Sequence, residues 1–169
     1  MKFLLIVLLA ASFSAFSGLV EFGGHAGVLI PTGDDLDRFN TSPVFGVDIL
    51  AHLPMFAIEG SVSYAPLSND GLPGATDYSA NMIPLLAGIR TYSGPIFYGG
   101  GLALHITSVS FTNYGGDKVD NTESKFGAYG NVGMILPTGG MDIEASLKYH
   151  LVDLDFDETW LGLTAGINF

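Results

Sequence analysis

The chain has 169 residues, the length of one ordinary domain, with no cysteine and a formal net charge of -11, although only 14% of its residues are charged. The missing cysteines exclude disulfides, thiolate metal sites, a cysteine nucleophile and a lipoprotein anchor. Six Lys and Arg residues are too few for a nucleic-acid surface, and 48% hydrophobic residues exclude an intrinsically disordered chain.

The first 17 residues have the layout of a cleaved Sec-type signal peptide. Lys2 supplies a positive charge, residues 3–11 are uniformly apolar, and the small residues Ala15 and Ser17 precede the expected cleavage site. The apolar run is too short for a spanning helix. We therefore predict a signal peptide over 1–17 and one domain over 18–169, with an uncleaved N-terminal anchor as the alternative.

Eight later segments alternate apolar and other residues with the period of two that indicates β-strands. In chain order they cover residues 20–30, 44–52, 56–65, 82–92, 96–109, 125–136, 142–151 and 160–169. Most are longer than strands of soluble proteins and match tilted membrane strands. Pro84 lies inside the fourth segment and predicts a β-bulge there, because proline lacks a donor for the ladder.

Every segment has one apolar face without charged residues and one face with charged residues, histidines or glycines. Glycine weakens a solvated strand, whereas in a narrow barrel it leaves space for large side chains that cross the interior. We assign the polar face to the lumen and the apolar face to lipid. Long and short gaps alternate along the chain, so the predicted fold is all-β, an eight-stranded antiparallel up-and-down transmembrane β-barrel.

A lumen of eight strands is just wide enough for side chains to fill it. Buried charges need partners, so we predict a polar network that plugs the lumen, formed by Glu21, His25, Asp48, Glu59, Arg90, His105, Glu144 and Lys148. A gated or narrow ion path is the alternative. The four histidines fall at four heights along their strands, which predicts no metal site and no cofactor.

The chain resembles the small outer-membrane β-barrels of Gram-negative bacteria, the outer membrane protein A and X type. The last strand, LGLTAGINF at 161–169, carries the clearest resemblance, because Ile167 and the terminal Phe169 are similar to the family's C-terminal assembly signal. The usual glycine of that signal would fall at Thr164, and glycines stand at 162 and 166 instead. The strings FGGHAGVLIP at 22–31 and PVFGVD at 43–48 also resemble family members.

The resemblance implies an outer-membrane protein, which periplasmic chaperones and the barrel-assembly machinery deliver. Its partners would be outer-membrane lipid and lipopolysaccharide, not nucleic acid, and it would be a monomer. We expect a structural or adhesive barrel that displays acidic outer loops, since twelve of the 17 acidic residues fall in the four predicted outer loops. A narrow pore or a transporter of small or apolar solutes is the first alternative, and a soluble lipocalin-like barrel is the rival fold.

An enzyme that modifies lipid A is the second functional alternative, but we predict no catalytic residue. The nearest string to a His and Ser pair is His105-Ile-Thr107, which lies on the inward face and lacks a base and an orienting group. One acidic string in the last gap fails the helix–loop–helix calcium pattern. It predicts only a weak divalent-cation contact, by Asp153, Asp155, Asp157 and Glu158.

Overall fold

The computed structural model describes residues 19–69, 75–113, 115–154 and 156–169, and the predicted signal peptide lies outside these ranges. The strands are β1 (Val20–Pro31), β2 (Ser42–His52), β3 (Ala57–Leu67), β4 (Ala75–Ser93), β5 (Ile96–Asn113), β6 (Lys118–Pro137), β7 (Asp142–Leu151) and β8 (Thr159–Asn168). Two short 3-10 helices cover Asp34–Leu36 and Val152–Leu154. No helix in the described ranges is long and apolar enough to cross a membrane.

Each strand pairs antiparallel with its neighbours in the chain, and β8 returns to β1, so the sheet closes into a barrel. The closing seam runs from Gly23 opposite Asn168 to Pro31 opposite Trp160. Phe22 and Phe169 exchange backbone hydrogen bonds of 3.0 and 2.9 Å at its end. The predicted eight-stranded up-and-down barrel is confirmed. We call the end at which β1 begins and β8 ends the turn end, and the opposite end the loop end.

The two faces of the strands differ in exposure as their sequence pattern predicts. Val47 and Leu102 on the outward face are 62% and 56% exposed, whereas Glu59 and Arg90 on the inward face are each 1% exposed. The lumen is more apolar than the sequence indicates. Large hydrophobic side chains are buried there beside the charges, among them Leu29, Leu50, Leu86 and Phe97.

Inward glycines lie where large side chains cross the lumen. A Cβ on Gly88 would lie 2.5 Å from the Tyr129 hydroxyl and 2.4 Å from the Gly100 carbonyl oxygen, closer than real contacts allow. A Cβ on Gly133 would lie 2.3 Å from the Phe97 ring. The glycine content of the inward face is therefore a packing requirement of a narrow barrel.

Three strands extend beyond their predicted limits at the loop end. β4 begins at Ala75 instead of 82, β5 continues to Asn113, and β6 begins at Lys118 instead of 125. The predicted long loops at 66–81 and 110–124 were therefore wrong over much of their length. Ladder pairs such as Ser110 with Asp120 support the extra strand, so strand pairing overrides the weak β-propensity of polar residues there.

The extensions form a three-stranded sheet that stands above the closed barrel, and we call residues 75–80, 108–113 and 118–124 the projecting sheet. Its neighbours stop short, because β3 pairs with β4 only up to Leu67 opposite Ala80, and β7 meets β6 only from Leu151 opposite Ala128. Among the described residues, no ladder pair joins β4 to β3 before Ala80 or β6 to β7 before Ala128.

Pro84 does not produce the predicted bulge. It pairs with His105 in the unbroken β4–β5 register, and the register shift of that hairpin lies between Thr76 and Ser79. Toward β3, the ladder skips two pairs between Val62 and Ala65 and then resumes in the same register. The missing N–H of Pro84 thus interrupts one ladder without displacing the strand.

We expect Gly88→Val to destabilise the barrel by about 1–3 kcal/mol through overpacking against Tyr129. The check is urea unfolding in lipid vesicles, followed by heat-modifiable gel migration of the folded form. Gly130→Val is the matched control, because the nearest atom to its Cβ, the Gly99 carbonyl oxygen, lies at 3.9 Å. Equal unfolding midpoints for the two variants would contradict the packing argument.

Candidate functional site

Arg90 lies between two carboxylates at the centre of the lumen. Its Nη2 donates to Glu59 Oε1 at 2.8 Å, and its Nη1 donates to Glu144 Oε2 at 2.6 Å. The guanidinium also stacks 4.0 Å from the centroid of the Phe97 ring. Because these groups come from β3, β4, β5 and β7, the cluster ties four strands of the wall together across the lumen.

A second set of charged groups continues this cluster. Lys148 Nζ lies 3.6 Å from both Glu59 Oε1 and Asp48 Oδ1. His25 Nδ1 donates to Asp48 Oδ2 at 2.5 Å, and its Nε2 lies 3.0 Å from Ser63 Oγ. Three carboxylates thus face an arginine, a lysine and a histidine ring N–H. The lumen network is a paired set rather than a group of isolated charges.

The structure brings together six of the eight predicted network residues, which are His25, Asp48, Glu59, Arg90, Glu144 and Lys148. Sequence reasoning missed two amides that complete it. Asn131 donates to Glu59 at 3.0 Å, and Asn168 donates to Glu144 at 3.1 Å. Both have the inward parity of their strands, so the alternation that located the charges could have located them.

Glu21 and His105 lie apart from this network. Glu21 pairs with His52 at 3.1 Å near the turn end, where both side chains are about one-third exposed (38% and 31%). His105 Nε2 lies 3.4 Å from His150 Nδ1 inside the lumen. The expectation that the histidines occupy four heights was wrong for this pair, because strand tilt brings residues of different strand position to one level.

The histidine pair offers two ligands, and within the described ranges no group of three or more metal-ligating residues is present. His105 is 1% exposed and meets His150, so it is turned away from lipid. The neighbouring Thr107 lines a cavity at the loop end. His105 and Thr107 therefore do not form a nucleophile and base at a lipid-facing rim.

The lumen between the network and the loop end is nearly filled. A cavity lined by His25, Leu86, Lys148 and His150 holds only about 10 Å³. That volume is at most the space of one water molecule.

An apolar cluster closes the lumen at the loop end. Leu29, Leu67, Met82 and Trp160 are all buried there, and the connection between β1 and β2 adds Leu36. That connection folds over the opening, because Thr32 and Gly33 donate backbone hydrogen bonds of 2.9 and 3.2 Å to the Thr159 carbonyl oxygen. The seal therefore depends on a loop that the barrel holds in place.

The connection between β7 and β8 also folds back onto the opening. Val152 is buried in the apolar cluster, and its N–H donates to the Glu158 carbonyl oxygen at 2.9 Å. The Glu158 carboxylate accepts a 2.5 Å hydrogen bond from Lys125. Of the acidic string predicted to contact a divalent cation, Asp155 lies outside the described residues and Glu158 is committed to Lys125.

The outward face of the β4–β6 wall changes from apolar to polar within one ladder step, since Ser124 of β6 lies opposite Ile106. Below this level it presents Ile83, Ile106 and Phe126 to the lipid side. Above it, the same face presents hydroxyl and amide groups, on Ser79, Asn81, Ser108, Ser110 and Thr122, which line one shallow groove. Ser108 is opposite Asn81 on one side and Thr122 on the other. On β6, the outward face is apolar from 126 to 136, and a stretch of this length matches a membrane strand.

No protein-family model matches the chain, and no curated protein matches it. Several solved structures match the chain. Ail of Yersinia pestis, in complex with the heparin analogue sucrose octasulfate, has a TM-score of 0.60 at 16% identity, covering 89% of this chain and 97% of that one. Neisserial surface protein A has a TM-score of 0.55 at 16% identity, covering 88% and 95%.

The N-terminal β-barrel domain of Pseudomonas aeruginosa OprF has a TM-score of 0.57 at 15% identity, with 88% of this chain and 97% of that one covered. The chain has the fold of the eight-stranded outer-membrane barrels. In this outer-membrane-type barrel, Ile167 and Phe169 lie on the outward face, 44% and 68% exposed.

We expect Arg90→Met to lower the free energy of unfolding of this outer-membrane-type barrel by about 3–5 kcal/mol, because Glu59 and Glu144 would stay buried without their shared cation. The measurement is urea unfolding in lipid vesicles. Glu21→Gln is the control, because it breaks the partly exposed ion pair with His52 and should lower the free energy of unfolding by less than about 1 kcal/mol. A loss for Arg90→Met as small as the control's would show that the buried network does not hold the wall together.

Proposed function

We propose that the protein is a monomeric integral outer-membrane barrel without enzymatic activity, whose filled lumen does not conduct and whose working surface is the projecting sheet. Its fold, which it shares with bacterial outer-membrane proteins, supports this location. Periplasmic chaperones and the barrel-assembly machinery would deliver it, with Ile167 and Phe169 as the recognised end. The loop end then faces the cell exterior.

The observation that carries the proposal is the change on the outward face of β4–β6 from apolar to hydroxyl-bearing residues. In a bilayer the apolar stretch occupies the hydrocarbon layer, so the hydroxyl groups stand at the height of the lipid headgroups. In an outer leaflet that layer consists of the sugars and phosphates of lipopolysaccharide. Serine, threonine and asparagine can both donate and accept hydrogen bonds with sugar hydroxyls.

Charge contributes little to this contact. Lys118 Nζ lies 3.3 Å from Asp120 Oδ1, so the cation on the outer part of the sheet is paired. Hydrogen bonds with Ser110 and Lys118 hold the pKa of Asp120 below its ordinary value, and the carboxylate stays ionised at neutral pH. The hydroxyl groups, rather than a basic patch, are therefore proposed to contact lipopolysaccharide.

For the lipopolysaccharide contact, the experiment is backbone amide hydrogen exchange over residues 108–124 in vesicles. We expect lipopolysaccharide to slow exchange there, and phosphatidylglycerol at equal charge to have no such effect. Replacing Ser108, Ser110, Thr122 and Ser124 by alanine should abolish the slowing. The control variant Val119→Ala with Glu123→Gln changes the opposite face of the same strand and should retain it.

The same slowing with phosphatidylglycerol, or its persistence in the four-alanine variant, would reject the hydroxyl contact. Salt provides a second readout. Because hydrogen bonds rather than exposed charges are invoked, raising the ionic strength should leave the slowing nearly unchanged.

For the lumen, the experiment is single-channel recording in planar bilayers. We expect no open events from the wild-type barrel, because the paired network and the apolar cluster each close the lumen. Heat-modifiable migration of the same sample verifies that the inserted protein is folded. Regular open events of one conductance would favour the narrow pore over the filled barrel.

A further inference from the structure

The apolar cluster at the loop end does not fill the opening that it seals. A cavity of about 220 Å³, which we call the mouth cavity, lies between this cluster and the two folded-back connections. Its apolar walls include Leu67, Met82 and Trp160 from three strands and Phe39 from the β1–β2 connection. This cavity is inside the wall, separate from the outward hydroxyl face proposed to contact lipopolysaccharide.

The lid of the mouth cavity is held at both of its ends. Beside the bonds to Thr159, the Asn40 N–H donates to the Ser68 carbonyl oxygen at 2.8 Å, and Phe39 forms a β-bridge with Asn69. A Cβ on Gly33 would lie 2.0 Å from the Asp157 carbonyl oxygen, so only glycine permits this approach. The Phe39 ring then rests 5.7 Å from the Trp160 ring. The cavity is thus a built feature with aromatic walls.

The rim of the mouth cavity is polar and balanced in charge. Arg38 and Lys125 supply two positive charges, and Glu123 and Glu158 supply two negative charges. Lys125 Nζ and Glu158 Oε1 form a salt bridge of 2.5 Å. The chain outside the cavity is strongly acidic, with a net charge of -11 overall. An organic anion would meet repulsion on approach. A cation would be attracted by the acidic surface, but the described lining residues offer it no excess of carboxylates over bases for an ion pair.

Hydroxyl groups provide the remaining polar contacts. Tyr78 and Thr107 both line the cavity. Partial burial raises the pKa of Tyr78, against the opposing effect of the Arg38 charge, so its hydroxyl stays protonated at neutral pH. Tyr78 and Thr107 can therefore donate to, or accept from, an uncharged polar group.

We propose that the mouth cavity binds a small uncharged amphiphile, with an aromatic or short aliphatic body in the apolar part and a hydroxyl or amide group at the rim. The volume sets the size, since a cavity of about 150 Å³ accepts benzene. One aromatic ring with a small substituent fits. Such a ligand enters from the exterior without crossing the charged network.

Trp160 is the only tryptophan of the chain and forms part of the cavity wall, so its fluorescence reports directly on occupancy. The experiment uses the full barrel in phosphatidylcholine vesicles and the heavy-atom quencher 4-iodophenol. For a ligand of this size we expect saturable quenching with a Kd on the order of 1 mM. At equal concentrations, 4-iodobenzoate and 4-iodobenzylamine should give only weak, linear quenching.

Two variants test the location. Thr107→Phe fills the cavity and should abolish saturation, whereas Ile106→Phe places the same ring on the opposite face of β5 and should leave it unchanged. Phe39→Ala removes one wall from a loop outside the barrel, so it does not threaten folding, and should weaken binding several-fold. Linear quenching by 4-iodophenol, or saturation that survives in both Thr107→Phe and Phe39→Ala, would overturn the site. Saturation by a charged probe instead would overturn the ligand class.

Discussion

The ion cluster around Arg90 is the constraint on which the rest of the lumen depends. A guanidinium that is 1% exposed is costly unless its donors are satisfied, and Glu59 and Glu144 satisfy them from two other strands. Once that geometry is set, the neighbouring positions have little freedom. Gly99 must lack a side chain, because a Cβ there would lie 2.7 Å from Asn131 Oδ1. Phe97 must be flat and apolar where the guanidinium stacks on it. Glycine, amide and aromatic residues of the wall thus follow from one buried cation.

Much of this architecture follows from residue parity alone. The alternation of residue types placed Val47 and Ile89 on the outward face and Asp48 and Arg90 on the inward face. The same alternation predicted the number of strands. The same rule covers Asn131 and Asn168, which point inward but carry no formal charge and so do not stand out among the charged positions. What parity could not provide was relative height. His105 and His150 meet because neighbouring strands are staggered around a tilted barrel, and stagger is a property of the whole closed sheet.

The pattern of hydrophobicity also could not locate the strand ends at the loop end, and the reason is physical. At the level of Ser108 and Thr122 the outward face is polar, so the contrast between an apolar and a polar face that marks a membrane strand is lost. These residues belong to strands because each has a ladder partner, with Ser108 opposite Thr122 and Ser110 opposite Asp120. Pro84 illustrates the converse. Its lost donor suggested a bulge, but an in-register partner on β5 keeps the strand straight.

The two closures of the lumen differ in kind, and this difference bears on how the protein could work. The charged network is rigid because each charge is paired within the wall, and loosening it would leave charges without partners. The apolar cluster at the loop end depends on two surface connections, which release only hydrophobic contacts when they move. A ligand that entered the mouth cavity could therefore displace the β1–β2 connection at modest cost while the network below stayed intact. An ion path would have to open both closures. We therefore propose that the molecule holds a ligand at its loop end rather than passing it through.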